Sequence, residues 1–159
     1  AMAGSFGYEL DLNLISETER AEVKEQIADY KKYWNLIHNG RYYRLHDPER
    51  DREVAAWSFV AEDRGEMLLN VVKLDAHGNA PVNYICCKGL EAGASYRCVE
   101  EKRSVKPYHG SEPRRDRKQL EGRIYDGAAL MGAGVPIPME VGEYEAMQVH
   151  FIRVEAGEQ

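Results

Sequence analysis

The sequence predicts a mainly β protein, in which one long amphipathic α-helix precedes an antiparallel β-sandwich. Apolar residues recur at helical spacing between Ser16 and Gly40. From Arg41 onward the period changes to two, and short apolar runs alternate with turn residues without a second long helix. About six to eight short strands at this spacing are typical of a sandwich.

The first fifteen residues contain small side chains followed by an alternating apolar and polar stretch, which indicates a strand. This opening is unlike the natural beginning of a protein. We expect it to be the last strand of a larger unit. Its apolar side chains are Tyr8, Leu10, Leu12 and Leu14, and its polar ones are Glu9, Asp11 and Asn13.

The clearest helix begins at Ser16. Glu19 follows three residues later, and the pair forms a capping box in which each side chain accepts a hydrogen bond from the other residue's free amide. We expect Gly40 to end the helix in the left-handed conformation. The apolar positions predict one stripe that must pack against a sizeable apolar surface, because it includes two large aromatic rings. The stripe consists of Val23, Ile27, Tyr30, Trp34 and Ile37.

Six later segments are predicted to be strands. Trp57 and Phe59 share one face of the first of them, and residues 63–65 form the hairpin turn that follows it. In the last strand the apolar residues alternate with Gln148 and His150. The segments are residues 54–62, 67–74, 81–88, 95–100 and 123–125, and a final strand that contains Met147, Val149 and Phe151.

A short helical turn is predicted over residues 128–131. Asp126 is expected to cap it, and Gly132 and Gly134 end it. Together with Gly127 these glycines lack both the lysine of a phosphate-binding loop and the spacing of a dinucleotide fingerprint. We therefore expect a close-packed turn and no cofactor.

The charge balance argues against nucleic acid as a partner. The formal net charge is -6 with a pI near 5.4, and the basic residues are scattered. The chain lacks a signal-peptide pattern and a run of about 20 apolar residues, so we expect no membrane contact and a cytoplasmic location. Four basic residues between positions 112 and 121 fit either an anion or partner site or a solvated hairpin loop, and the loop is favoured.

The cysteines and histidines do not predict a metal site or a nucleophile. Three cysteines are an odd number for a disulfide framework, and we expect Cys86, Cys87 and Cys98 to be small buried apolar residues. Adjacent cysteines would point to opposite faces of a strand, which is unsuitable for zinc. No serine or cysteine has the context of a nucleophile elbow. The histidines are scattered at His38, His46, His77, His109 and His150.

Three stretches together resemble the end of bacterial α-galactosidases of glycoside hydrolase family 36. They are AMAGSFGYELDL at residues 1–12, YKKYWNLIHNGRYYRL at residues 30–45 and YDGAALMGAGVPIP at residues 125–138. Their order and spacing match the family. The likeness covers nearly the whole chain and is weakest between residues 101 and 122.

The resemblance implies that residues 1–40 are the last strand and helix of a truncated (β/α)8 catalytic barrel, and that residues 41–159 are the C-terminal antiparallel β-sandwich domain. Both catalytic aspartates of the family lie on earlier barrel strands and have no counterpart in this chain. No catalytic residue is therefore assigned, and the chain alone is expected to be inactive. Barrel sites lie at the carboxyl ends of strands, so Ser5, Phe6 and Gly7 would line the mouth of the substrate site in the longer enzyme.

The residues by themselves offer no better catalytic pair. Retaining hydrolysis of a glycosidic bond needs two carboxyl groups about 5 Å apart. Glu9 and Asp11 come nearest to such a pair, because they lie two residues apart on an extended segment and would share a face. A polar exit of the strand explains these two side chains better than catalysis does. Aromatic side chains could stack on a sugar ring, although most aromatics of a small sandwich belong to its core. The candidates are Trp57, Tyr42, Tyr43 and Tyr108.

The resulting hypothesis is a non-catalytic C-terminal part of a retaining α-galactosidase, in which the sandwich braces the barrel or the oligomer. The substrate of the longer enzyme would be an α-galactoside oligosaccharide, and the chain would contact the missing barrel or associate with itself. The alternatives are a free-standing carbohydrate-binding module, with an exposed row of aromatics on one sheet face, and an interaction domain that uses the helix stripe.

Overall fold

The computed structural model describes residues 2–11, 13–47, 49, 52–75, 82–104, 120–137 and 145–155. Within these residues one long helix comes first, and eight strands and a short second helix follow. Their bounds are α1 Glu17–Asn39, β1 Arg41–His46, β2 Val54–Val60, β3 Glu66–Lys73, β4 Asn83–Ile85, β5 Ser95–Ser104, β6 Ile124–Asp126, α2 Gly127–Gly132, β7 Val135–Ile137 and β8 Ala146–Val154.

The strands form two antiparallel sheets, which confirms the predicted mainly β fold behind one long helix. The larger sheet has six strands in the order β1-β2-β3-β8-β5-β6, and the smaller one pairs β4 with β7. The main apolar core joins side chains of both sheets and of α2, and it includes Leu69, Phe151, Ile85, Val135 and Leu130. The alternation predicted for the last strand is also confirmed, since Met147, Val149 and Phe151 all belong to this core.

Helix α1 packs on the opposite face of the larger sheet. Its capping box at Ser16 and Glu19 is present as predicted. The C-terminal part of the helix buries Tyr33, Leu36 and Ile37, which form a second apolar cluster with Phe59 and Leu68 of the sheet. The predicted placement of Trp57 and Phe59 on one face is confirmed, because both belong to this cluster.

The predicted stripe on α1 is only partly correct. Ile37 is buried, but Trp34 is 47% exposed and Ile27 is 37% exposed. The sheet contacts the neighbouring line of side chains, which passes through Tyr33 and Leu36, and its described contacts lie in the second half of the helix. Helical periodicity alone does not distinguish two adjacent apolar lines, because both satisfy the spacing of three and four residues.

The left-handed end predicted at Gly40 is wrong. Its φ of -76° and ψ of 165° are extended, so the chain passes directly from α1 into β1. A Cβ atom at this position would lie 2.3 Å from the carbonyl oxygen of Leu36 and 3.0 Å from that of Val60. Glycine is required here because the backbones approach closely, and not because of a positive φ.

The hairpin turn predicted at residues 63–65 is confirmed, because it joins the antiparallel strands β2 and β3, and within it Arg64 has a φ of 58°. Several other local predictions need correction. Asp126 is the residue before α2, but its side chain makes no capping hydrogen bond. Cys87 and Cys98 are buried as expected, whereas Cys86 is exposed. A strand was expected in the first fifteen residues, but residues 5–9 form neither helix nor strand in this structure.

The close-packed turn predicted at the glycine-rich stretch is confirmed. A Cβ atom on Gly127 would lie 2.1 Å from the carbonyl oxygen of Glu91, and Gly134 has a φ of +86° beside the backbone of Ile85. Strand β7 follows at once and was not predicted, because Pro136 argues against a strand. Among the residues described, neither helix combines the length and the apolar character that crossing a membrane requires.

Candidate functional site

The predicted substrate-lining segment lies along α1. Phe6 is half-buried, and its ring centroid is 5.3 Å from that of Tyr30. The hydroxyl of Tyr30 donates a hydrogen bond of 2.9 Å to the carbonyl oxygen of Gly4, which ties the segment to the helix. Ser5 and Gly7 are exposed. Their assignment to a substrate site stays a prediction.

One side of α1 carries an aromatic surface, which we call the outer face and define as Ile27, Tyr30, Trp34 and His38. Trp34 is exposed, whereas Tyr30 is half-buried against Phe6. The rings of Trp34 and His38 are stacked with centroids 4.6 Å apart and an interplanar angle of 17°. Nδ1 of His38 lies 2.9 Å from the carbonyl oxygen of Trp34, which fixes the orientation of the ring. An exposed aromatic group of this kind is typical of a contact surface.

A charged cluster lies between α1 and the larger sheet, and we call it the helix–sheet joint. The Glu100 carboxylate accepts hydrogen bonds from the hydroxyl of Tyr33 and from Nζ of Lys32, the latter at 2.7 Å. Nζ of Lys102 contacts the carboxylate of Asp29 and lies 3.5 Å from Glu100 Oε1. The joint consists of Asp29, Lys32 and Tyr33 of α1, and of Glu66, Glu100, Lys102 and His150 of the sheet.

A β-bulge places the ionic part of the joint. The register between β5 and β8 pairs Cys98 with Phe151 and then Glu100 with His150, so Val99 is the extra residue. Without the bulge, strict alternation would place Glu100 on the same face as Cys98, inside the main core. The bulge therefore turns Glu100 and Lys102 toward α1.

The joint shifts the pKa values of its members. Burial by itself would raise the pKa of Glu100, but the hydrogen bonds from Lys32 and Tyr33 outweigh it and lower this pKa to about 2. Burial lowers the pKa of His150 and opposes its protonation, although its Nε2 lies 2.7 Å from a Glu66 carboxylate oxygen. At neutral pH Glu100 is therefore ionised, and the joint holds a stable negative charge.

We expect Glu100→Gln to reduce the loss of stability in acid. Because the pKa of Glu100 in the folded chain lies below the ordinary value of 4.5 for a glutamate, its stabilising contribution is complete above about pH 4.5 and is lost as the pH falls toward about 2. Urea unfolding of both proteins at several pH values between 7 and 2.5 measures this. The free-energy difference between the two should shrink toward acid, and a constant difference would contradict the assignment.

The other predicted site residues are not brought together. Glu9 and Asp11 are both exposed, and Asp11 accepts a hydrogen bond from the backbone amide of Asn13 at 2.9 Å. Tyr42 is 53% exposed, whereas Trp57 and Tyr43 are half-buried. Tyr108, His77, His109 and most of the basic segment 112–121 lie outside the described residues.

In the described part of the chain, no three His, Cys, Asp or Glu side chains are arranged to hold a metal ion.

Sequence reasoning missed a buried ion pair in β5. The side chain of Glu101 is 0% exposed and accepts a hydrogen bond of 2.6 Å from Arg103 and one of 2.8 Å from the amide of Leu120. It lies on the main-core face because of the same bulge, for which the sequence gives no local signal.

Comparison with known proteins decides the family. Residues 54–151 match the model of the glycosyl hydrolase family 36 C-terminal domain, which covers more than half of the chain. The chain belongs to glycosyl hydrolase family 36. The match extends from β2 into β8 and confirms the family inferred from the three sequence stretches.

Relatives within family 36 are much longer than this chain. The chain is 43% identical over 158 residues to the bifunctional α-galactosidase/sucrose kinase AgaSK of Mediterraneibacter gnavus, which covers 99% of the chain and 15% of that protein. It is 36% identical over 148 residues to α-galactosidase AgaA of Geobacillus stearothermophilus, covering 92% of the chain and 17% of that protein. The chain thus spans about a sixth of the length of these relatives.

Solved structures show the same fold. The galactosidase domain of AgaSK superposes with a TM-score of 0.79 at 42% identity and covers 97% of the chain and 18% of that domain. A variant of AgaA in complex with raffinose gives a TM-score of 0.78 at 33% identity, with the same coverage. The helix and both sheets together therefore correspond to a part of family 36 α-galactosidases.

Proposed function

We propose that this chain is the non-catalytic C-terminal part of a longer retaining α-galactosidase, which removes terminal α-galactosyl residues from oligosaccharides. The observation that carries the proposal is the match to α-galactosidases over 99% of the chain but only 15% of the relative's length. In this proposal residues 1–40 belong to the catalytic barrel and residues 41–159 form the sandwich domain. The structure of AgaA with raffinose supports an α-galactoside oligosaccharide as the substrate of the longer protein.

In this proposal the sandwich braces the barrel or the oligomer, and the outer face of α1 is the surface through which this helix packs against the rest of the barrel. Trp34 is 47% exposed although it is large and mostly apolar, and burying it against a neighbour would be favourable. When the catalytic part is absent, a second copy of the chain would cover the same face.

All three cysteines are thiols, which supports a cytoplasmic location for the complete protein.

We expect the chain alone to show no α-galactosidase activity. Retaining hydrolysis depends on two carboxyl groups held across the sugar ring, and in this proposal both belong to the missing part. The measurement is release of nitrophenol from a nitrophenyl α-galactoside, with full-length AgaA as the positive control.

A false positive from a host enzyme is excluded by repeating the assay on a matched variant. Glu9→Gln/Asp11→Asn removes the two carboxylates that come nearest to a catalytic pair in the sequence analysis. Activity that copurifies with the chain and disappears in this variant would overturn the proposal.

A further inference from the structure

Helix α1 is attached to the sheet at two separate places. At its C-terminal end Leu36 and Ile37 pack against the sheet, and Gly40 continues directly into β1. About two turns earlier, the helix–sheet joint provides the second attachment. From residue 17 to residue 28, all side chains of α1 are exposed except the half-buried Val23. Among the described residues, the joint is therefore the main contact with the sheet that opposes rotation of the first half of the helix about Gly40.

The second attachment differs from the first in its ion pairs, which surround the buried ring of Tyr33, itself a member of the second apolar cluster. Lys102 is the residue that connects the two elements, because its Nζ contacts Asp29 of α1 and Glu100 of its own strand. The side chains of Lys102, Asp29 and Glu100 are 32%, 16% and 24% exposed, so they are largely shielded from water. Partly buried ion pairs contribute little net stability, but removing one partner leaves uncompensated charge behind.

We propose that Lys102 is a positioning residue whose ionic bridge to Asp29 fixes the orientation of α1 on the sheet, so that without the bridge the helix loosens while the sheet stays folded. The pKa of Lys102 is consistent with this role. Burial would lower it, but the hydrogen bond to Asp29 and the charge of Glu100 raise it. Lys102 therefore stays charged at neutral pH.

The Lys102–Asp29 bridge deepens the proposed function. Only the role of the bridge in the longer protein rests on that function. The outer face with Trp34 lies on the same helix, so the orientation of α1 determines the direction in which that face points. In the longer protein, the bridge would transmit the position of the sheet to the catalytic part. The device itself is a property of the chain alone and can be tested without that part.

The experiment is hydrogen exchange of the intact chain, followed by mass spectrometry. In Lys102→Met, the amides of residues 20–33 should exchange about tenfold faster than in the parent chain, while those of β3 and β8 keep their rates. Adding Asp29→Asn removes the carboxylate left without its cation, so the double variant should exchange more slowly in α1 than Lys102→Met does. The matched control is Lys88→Met, since Lys88 is a lysine away from the joint whose Nζ donates to the carbonyl oxygen of Arg44 on β1.

Two results would overturn the proposal. In one, exchange in α1 is the same for Lys102→Met and Lys88→Met. In the other, β3 and β8 accelerate as much as α1, which would mean that the joint is part of one cooperative core. If Lys102→Met does not fold, Asp29→Asn alone gives the same test, because it removes the other partner of the bridge. Faster exchange confined to α1 would support the bridge. Both readouts are independent of activity, so the proposed function can fail without affecting them.

Discussion

Replacement of Phe151 by alanine is expected to lower the free energy of unfolding by about 3–5 kcal/mol. Phe151 is 0% exposed on β8, between Met67 of β3 and Cys98 of β5, and both neighbours are themselves fully buried. Its ring meets the edge of Tyr125 with centroids 6.1 Å apart. Alanine would remove the burial of the ring and leave a cavity in the middle of the larger sheet, where the strands cannot collapse to fill it.

The next residue in the chain provides the control for this prediction. Ile152 belongs to the same strand, points to the other face of the sheet and is 42% exposed. Ile152→Ala is therefore expected to cost less than about 1 kcal/mol. Urea unfolding followed by tryptophan fluorescence measures both variants. Similar losses in the two would contradict the assignment of Phe151 to the main core.

Deletion of residues 1–39 is expected to lower the free energy of unfolding by about 3–6 kcal/mol and to leave a cooperative transition. The main core contains no described residue of this segment, so the two sheets keep their shared apolar interior. The loss comes from the opposite face, where Phe59 and Leu68 are covered by Tyr33, Leu36 and Ile37 of α1. Uncovering two large apolar side chains costs about 1.5–3 kcal/mol for each.

The matched control for the deletion removes only residues 1–15 and keeps α1 with its capping box. That variant should unfold nearly as the complete chain does, because Met2, which is half-buried, is the only described residue of this segment that packs against the second apolar cluster. Thermal unfolding by circular dichroism at low protein concentration compares the three proteins. A non-cooperative transition after deletion of residues 1–39 would mean that α1 and the sheets form one folding unit, and the division at residue 40 would have to be abandoned.

The fold was predictable wherever the signal is local or strictly periodic. The capping box spans only Ser16 and Glu19, and its two hydrogen bonds form between neighbours in the chain. The alternation in β8 reports its buried face directly, because Met147, Val149 and Phe151 repeat with the period of a strand. The family, too, was visible in three short stretches whose order and spacing the sequence preserves.

The candidate site was predictable only in outline. The sequence indicated that α1 carries an aromatic stripe, and Trp34 of the outer face is exposed in the structure. It did not indicate that Tyr33 is the buried ring of the helix, because that depends on the angle at which α1 lies on the sheet. The joint was missed altogether, since Asp29 and Lys102 are 73 residues apart in the chain.

The sequence alone therefore determined the helix with its beginning, the mainly β character of the rest and the family. Tertiary structure decided which side of α1 faces the sheet, why position 40 is glycine and where the charges of β5 point. The reason is physical: a capping box and an apolar period act between residues a few positions apart. The close approach at Gly40 and the bulge at Val99 arise instead where separate elements pack together. The bulge reverses the alternation of β5, and so it turns Glu100 and Lys102 toward the helix and Glu101 toward the core.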